Sequence, residues 1–482
     1  MKISQIFGLN RTQYELDFID IDIERDTRLF LDPYFLSHRT DSFSVEATRT
    51  IGSFFQTFID LMQAGEINNA REIFNHLHEP NETCLGLSVG TPRGNGIGSQ
   101  NADAIFESIR QSRALQTGLL EHLEDFRIFV ENIDKDKVSD MTTNIIREQL
   151  IAYTQSQAKL WSFPLQNGVA SGEYWNRQTR RWEQTHTEML VIQERKILLV
   201  PKAIVSYAKR YTHQQFHQHF VLNFKQSEHL RLNSALVQSK RNRNGEVRRW
   251  VTKESIKEAE APLDKDFLSQ FTQSHREVFA RFRQYQAKGM QSLGNNELDS
   301  RTEVNDLVRH LKEQLASLGV GSENASIYHK TVAAILELLF YPRLTCLTVE
   351  KVINEGRKRI DITFDNSASS GIFWRLSTHH QIPCAYIMIE CKNYRNDVAN
   401  PEVDQLISRF HVNRGKFGML ICRTVQDRDT LIKRCRDAYG AGQGLIIPLM
   451  DADLIEMLDK ILADQANPEE DVLTRILNEV TS

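Results

Sequence analysis

The sequence predicts an α/β C-terminal domain, with a mixed central sheet flanked by helices, behind a largely helical α+β N-terminal portion. Three observations lead there. From about residue 326 onward, short apolar runs bounded by turn residues alternate with amphipathic helical patterns, as in a sheet covered by helices. Up to about residue 165 the dominant patterns are long and helical. The stretch between mixes strand-like runs with charged helices, and 482 residues suffice for two or three domains. The expected divisions are 1–165, a mostly helical recognition or regulatory domain; 166–320, an α+β region with a basic hairpin and a helical connector; 321–465, the α/β domain; and 466–482, a C-terminal tail.

In the first of these, the run from Glu15 to Asp22 alternates acidic and apolar residues, as on an edge or half-exposed strand with solvated carboxylates. Helical patterns follow over 44–64, 104–133 and 138–160. Glycines cluster over 86–99, ahead of a helix, where backbone N–H groups can cradle a phosphate with help from Arg93. The segment lacks the Gly-Lys-Ser/Thr of a nucleotide-binding loop, so an ordinary loop is the plainer expectation.

In the middle region, two strand-like runs occupy 190–200. His213 and His217 stand four apart, a metal-ligand spacing on a helix, but the acidic residue of a His-Glu-x-x-His motif is missing. Polar residues on a helix surface are therefore expected. The run 240–253 carries Lys240, Arg241, Arg243, Arg248, Arg249 and Lys253 around Trp250. It reads as a β-hairpin or loop suited to phosphate contacts, which makes these six cations the candidate nucleic-acid-binding residues. Residues 262–319 are helical and charged.

The C-terminal elements follow in order. Residues 326–340 are helical in pattern, with Val332, Ile335, Leu336 and Leu339 on one face, and Tyr341-Pro342 stops them. Strands are expected over 344–353 and 358–364, joined by a turn at Asn354-Glu355-Gly356, and over 384–392. A helix over 401–412, a strand over 417–422, a helix over 427–439, a strand over 444–449 and a helix over 453–462 complete the set. Between 366 and 383 lies an insertion with Trp374, Arg375, His379 and His380, which could contact DNA or, as the plainer expectation, cover the sheet edge.

Strand alternation then places the chemistry. Glu390 and Lys392 share one face of the third strand, while Ile360, Ile362 and Phe364 leave Asp361 on the opposite face of the second. A carboxylate on one strand, beside a carboxylate and an amine on the next, can hold a divalent cation and the water next to it. Glu-x-Lys alone is unspecific. A second copy, Glu194-Arg195-Lys196, follows a strand-like run but has no aspartate on a preceding strand.

With these residues in this order, residues 322–465 resemble the PD-(D/E)xK, or restriction-endonuclease-like, superfamily. Asp361, Glu390 and Lys392 match its D…E-x-K signature, with Ile360 where the pattern has proline. The resemblance implies catalysis by Asp361, Glu390 and Lys392, supported by Gln405 on the helix that follows. It implies metal ligation by Asp361 and Glu390, and by Glu337 as an added acidic ligand on the first helix, although a surface carboxylate is the plainer reading of Glu337. It implies a Mg²⁺-dependent deoxyribonuclease, with Mn²⁺ able to substitute, similar to multidomain endonucleases of bacterial restriction and antiphage defence. The partners so implied are DNA, further copies of the chain and, in a defence system, another protein. A structure-selective repair nuclease and a non-catalytic DNA-binding subunit are the alternatives.

Composition limits the rest. A net charge of −4 with 25% charged residues excludes a wholesale nucleic-acid coat, so any DNA footprint is a local patch. No apolar run is long enough for a bilayer, the N-terminus lacks the apolar stretch of a signal peptide, and the six cysteines form no Cys-x-x-Cys pair. A reduced, cytoplasmic protein without a membrane partner or zinc site is expected.

Overall fold

A computed structural model describes residues 1–87, 99–353, 358–394 and 397–482. Most of the glycine-rich segment (88–98) and the expected turn at Asn354-Glu355-Gly356 lie outside the described residues. Helix Ser42–Gln63 begins where the Asp41 carboxylate accepts from the Ser44 N–H at 2.8 Å. Its Ala47, Ile51, Phe54, Phe55 and Phe58 recur at helical spacing and are buried, the phenylalanines meeting Phe74, Phe106 and Phe126. The pattern over 104–133 is not one helix. Ser112 accepts from the Leu115 N–H and starts a new short helix, Arg113–Gln116, and Gly118 then turns the chain at a φ of 67°. The pattern over 138–160 is two helices, Lys135–Ile145 and Arg147–Trp161. The break at Ile146 sets the buried Arg147 against Glu82 at 2.8 Å.

The acidic run from Glu15 to Asp22 departs furthest from expectation. It is no solvated strand: Glu15, Asp17 and Asp20 are buried. Each has a partner, Glu15 in Arg11 (2.7 Å), Asp17 in the Tyr153 hydroxyl (2.7 Å) and Asp20 in the Ser4 N–H and hydroxyl (2.8 and 2.7 Å). Burial is possible because every carboxylate gains a donor that replaces water. Main-chain bonds from Ile19 N–H to the Val200 carbonyl (2.9 Å) and from Lys202 N–H to the Asp17 carbonyl (2.7 Å) tie this run to 198–202. Strand Phe30–Leu31 likewise pairs with Val205–Ser206. The chain before and after residue 165 is therefore stitched together by backbone pairing.

Beyond it, Gln166–Ala170, His186–Ile192 and Arg195–Ile197 form a small antiparallel sheet. Gln238–Arg241 and Val247–Trp250 form the expected basic hairpin. Helices Lys265–Ser274, Arg276–Ala287 and Val304–Ser317 make up the connector.

The C-terminal part is mixed α/β. Helix α1 (Ala325–Phe340) precedes β1 (Leu344–Ile353) and β2 (Lys358–Asn366). Then come α2 (Gly371–Thr378), β3 (Tyr386–Lys392), α3 (Asn400–Ile407), β4 (Phe417–Cys422), α4 (Arg428–Gly440), β5 (Leu445–Met450) and α5 (Asp451–Leu462). The five strands lie in chain order across one sheet, β1–β2–β3 antiparallel and β3–β4–β5 parallel. Strand β4 is buried along its whole length, which is why it reads as an unbroken apolar run. The insertion folds as α2, with Ile372, Phe373 and Leu376 buried. The expected C-terminal tail is instead helix α6 (Pro468–Thr481), whose Val472, Leu473, Ile476, Leu477 and Val480 are buried against α4 and α5. Its Glu469 pairs with Arg343 at 2.8 Å. Among the described residues no helix is long and apolar enough to cross a membrane.

Candidate active site

The antiparallel register of β2 and β3 sets Ile362 opposite Ile389, and one step further along, Asp361 comes beside Glu390. Directly opposed residues share a face, so the two carboxylates are cross-strand neighbours, and Lys392 follows two residues on. Asp361 Oδ2 accepts from the Cys391 N–H at 3.1 Å. Lys392 Nζ donates to Glu390 Oε1 at 2.7 Å and to Gln405 Oε1 at 3.2 Å. Four of the five residues expected at the site, Asp361, Glu390, Lys392 and Gln405, are thereby brought together.

A glycine places the fourth. A Cβ at Gly418 would come within 2.9 Å of both Leu406 Cδ2 and the Met388 carbonyl, so only glycine lets α3 sit this close on β4. Gln405, beside Leu406, then reaches across to Lys392. On the other side, Asn393 Nδ2 donates to the carbonyls of Gly319 and Gly321 (3.1 and 2.8 Å) and pins the loop that leads into α1.

The result is an open cleft of about 490 Å³, lined by Asp361, Glu390, Lys392, Gln405, His329 and Tyr394 among others, at the carboxyl end of β3. Loops at that edge of a parallel sheet are where open α/β folds bind ligands. The donor set suits a hard divalent cation: two carboxylates on adjacent strands, with the Cys391 carbonyl beside them.

Two residues that touch the site were missed at the level of sequence. Arg409, buried just beyond α3, forms an ion pair with Glu390 Oε2. Burial pulls its guanidinium below the usual value, and Asp361 opposes that. The available signal was its spacing, four residues after Gln405, which continues one helical face. His329, in the first turns of α1, has Nε2 3.1 Å from the Cys391 carbonyl.

Glu337 does not join the cleft, nor is it a surface carboxylate. It lies fully buried two turns further along α1, 3.1 Å from Lys202 Nζ. Lys202 also donates to the Gln13 carbonyl (3.3 Å) and Asn295 Oδ1 (3.0 Å) and sits over the Tyr341 ring. Burial pushes Asp17, close by, up to about 7, with Glu337 adding to the shift, and burial also raises Glu337 and lowers Lys202. Neither a cleft ligand nor a surface carboxylate describes it, because α1 packs against Lys202 and the N-terminal segment there, which no helical pattern reveals.

The remaining candidates separate clearly. Gln193-Glu194, at φ of 50° and 64°, makes the two-residue turn of a hairpin, and Arg195 and Lys196 open its second strand. His217 is buried with Nε2 2.8 Å from the Ala261 carbonyl, so it is not the surface residue expected. In the basic hairpin Lys240 stands directly opposite Arg248, and Arg241, Arg243 and Arg249 are exposed. Among the described residues none of these five cations pairs with a carboxylate. Lys253 stands apart: it opens helix Lys253–Ala259 and donates to the Gln218 carbonyl at 2.6 Å. Asp41, Cys346 and Asp365 also lie within ligating distance of one another and are buried. There the carboxylates are already taken by Arg39, Ser42 and Ser44, which makes the group a joint between helix Ser42–Gln63 and the sheet. All six cysteines are buried and unpaired.

A family model described as a domain of unknown function (DUF8370) matches residues 8–213, the stretch that the pairing of 15–31 with 198–206 ties together, and does not reach the cleft. No curated protein and no solved structure matches the chain.

Proposed function

We propose that the chain is a metal-dependent DNA endonuclease of the PD-(D/E)xK type, acting in bacterial restriction or antiphage defence. The observation that carries this reading is the meeting of Asp361, Glu390, Lys392 and Gln405 in one open cleft at the carboxyl end of β3. The element order supports it too, since β1 to β5 form one mixed sheet flanked by helices, as the resemblance implied. Asp361 and Glu390 would hold the cation. When bound, Mg²⁺ supplies Lewis acidity toward the phosphoryl oxygen and lowers the pKa of its water. Lys392, aimed by Glu390 and Gln405, sets a positive charge where the phosphorane charge develops. The exposed cations at Lys240, Arg241, Arg243, Arg248 and Arg249 offer a local footprint for a phosphate backbone on a chain of net negative charge.

The test is cleavage of supercoiled plasmid, linear, branched and single-stranded DNA by the full chain. Mg²⁺ and Mn²⁺ should support nicking and Ca²⁺ should not, with Lys392→Ala as control. Full activity in excess chelator, or in Lys392→Ala, removes the reading. Cleavage confined to branched DNA moves it to a structure-selective repair nuclease.

A further inference from the structure

Away from the cleft, residues 206–210 and 289–293 face each other across a cavity of about 290 Å³, with Phe35, Tyr207 and Met290 on its apolar side. Lys209 and Arg210 line it too, both exposed, and among the described residues neither pairs with a carboxylate. Of the two acids at the cavity, Asp32 is neutralised by the buried Arg127 at 2.9 Å, and Glu297 accepts from the Gly294 N–H at 2.8 Å. An excess of positive charge remains. The backbone that carries the two cations is strained: Ala208 and Tyr211 have φ of 46° and 53°, a left-handed region where a bulky side chain is an outlier. Four bonds impose it. Arg127 Nη2 donates to the carbonyls of Ala208 (3.0 Å) and Arg210 (3.2 Å), Ser206 Oγ accepts from the Ala208 N–H (3.1 Å), and the Tyr211 hydroxyl donates to Asp125 (2.7 Å). The facing wall is tied down as well, Ser292 to the Ala203 carbonyl (3.0 Å) and Tyr207 to the Glu297 carbonyl (2.9 Å). Backbone strain held by this many partners belongs to sites that grip a ligand, and a cavity with fixed walls is formed before the ligand arrives.

We infer that this cavity binds a small phosphate ester that carries a ring, of the mononucleotide class. The phosphate lies between Lys209 and Arg210, and the ring rests against Tyr207, Phe35 and Met290. A phosphomonoester carries close to two negative charges at neutral pH and so matches two cations, and a guanidinium fork fits its oxygens. Lys209 Nζ stands 5.0 Å from the centre of the Tyr207 ring, so an anion held there has aromatic surface within reach. A bare phosphate would leave the apolar side wet, and an uncharged nucleoside would leave both cations unanswered. The site is distinct from the cleft and stands whether or not the chain cleaves DNA.

The test is calorimetric titration of the full chain, in chelator so that no metal in the cleft contributes. The probes are AMP, GMP, CMP and UMP, their nucleosides, and inorganic phosphate. At least one mononucleotide should bind with a Kd of about 1 mM or tighter, and its nucleoside and inorganic phosphate at least about tenfold more weakly. Replacing both cations, Lys209→Ala with Arg210→Ala, should weaken the mononucleotide about tenfold or more and leave the ligand-free melting temperature unchanged, because both side chains are exposed. Tyr207→Leu should weaken it less, and Arg276→Ala, an exposed cation elsewhere, should leave it as it was. If the double variant does not fold, Arg210→Gln alone decides. No saturable binding of any mononucleotide overturns the proposal, as does binding that survives loss of both cations. Inorganic phosphate bound as tightly as its ester overturns the ligand class. A double variant that loses duplex binding, in a chain that binds no mononucleotide, transfers both cations to a DNA footprint and overturns the site.

Discussion

The molecule contains two constellations of nearly the same composition. In the cleft, Asp361 and Glu390 meet Lys392; in the interior, Asp17 and Glu337 meet Lys202. In both, a lysine stands about a hydrogen bond from a glutamate, 2.7 Å in one and 3.1 Å in the other. What separates them is access. The cleft group opens to solvent at the ends of inner strands, with Asp361 and Lys392 partly exposed although Glu390 itself is buried. The interior group is sealed between the N-terminal segment and α1, with Lys202 and Glu337 fully buried. Residue type therefore does not mark a reactive site. Two ion clusters of like composition thus differ in what packs over them.

The sharpest way to break this comparison is to delete the same residue type from each group. Asp361→Asn, Glu390→Gln or Lys392→Ala should lower cleavage on the order of 10⁴-fold, with the melting temperature changed by only a few degrees for the partly exposed Asp361 and Lys392. Glutamine is the better probe at position 390, because alanine there would leave Lys392 and Arg409 without their shared partner. Double replacements should cost little more than single ones. Wild-type rates from Glu390→Gln would end the nuclease reading.

Lys202→Met should do the reverse. It strands Glu337 and Asp17 in the interior, and losing one partner of a buried pair costs about 3–5 kcal/mol. Denaturant unfolding should show that loss, while cleavage per folded molecule at low temperature stays near wild type. A variant as stable as the parent would show that the interior group is no interlock.

A smaller effect is expected with pH. Burial holds Asp17 protonated up to about 7, far above its unfolded value, so the native state binds the extra proton between the two. The stability this provides is complete below the unfolded pKa and is lost as pH rises through about 7. Unfolding measured from pH 5 to 8 should show wild type losing stability relative to Asp17→Asn. Parallel profiles would mean that Asp17 is ionised throughout.

The smallest effect concerns the exposed hairpin. Reversing Arg248 and Arg249 to Glu should weaken DNA binding about equally for all sequences. It should also flatten log affinity against log salt by roughly one unit for each phosphate no longer neutralised. Cleavage at saturating DNA should survive. An unchanged slope would return the hairpin to the role of a solvated surface element.

Much of the C-terminal domain was legible in advance because its signals are local. Strand β4, buried on both faces, reads as an apolar run, and the i, i+2 spacing of Glu390 and Lys392 fixes a shared face whatever surrounds it. The N-terminal portion was less legible for the same reason reversed. The acids from Glu15 to Asp22 look solvated until Tyr153, Ser4 and Arg11, some far away in sequence, supply their donors. The long helical patterns there broke at Ser112, Gly118 and Ile146, where capping and buried pairing outweigh amphipathic spacing.

By itself, then, the sequence determined the order of C-terminal elements, the shared face of Glu390 and Lys392 and the basic hairpin, since each depends on spacing within a few residues or on a period of two. Only the tertiary structure decided that Arg409 holds Glu390, that His329 enters the cleft and that Glu337 leaves it for Lys202. Those outcomes turn on which side chains meet across helices and strands distant in the chain, and on whether water can follow them.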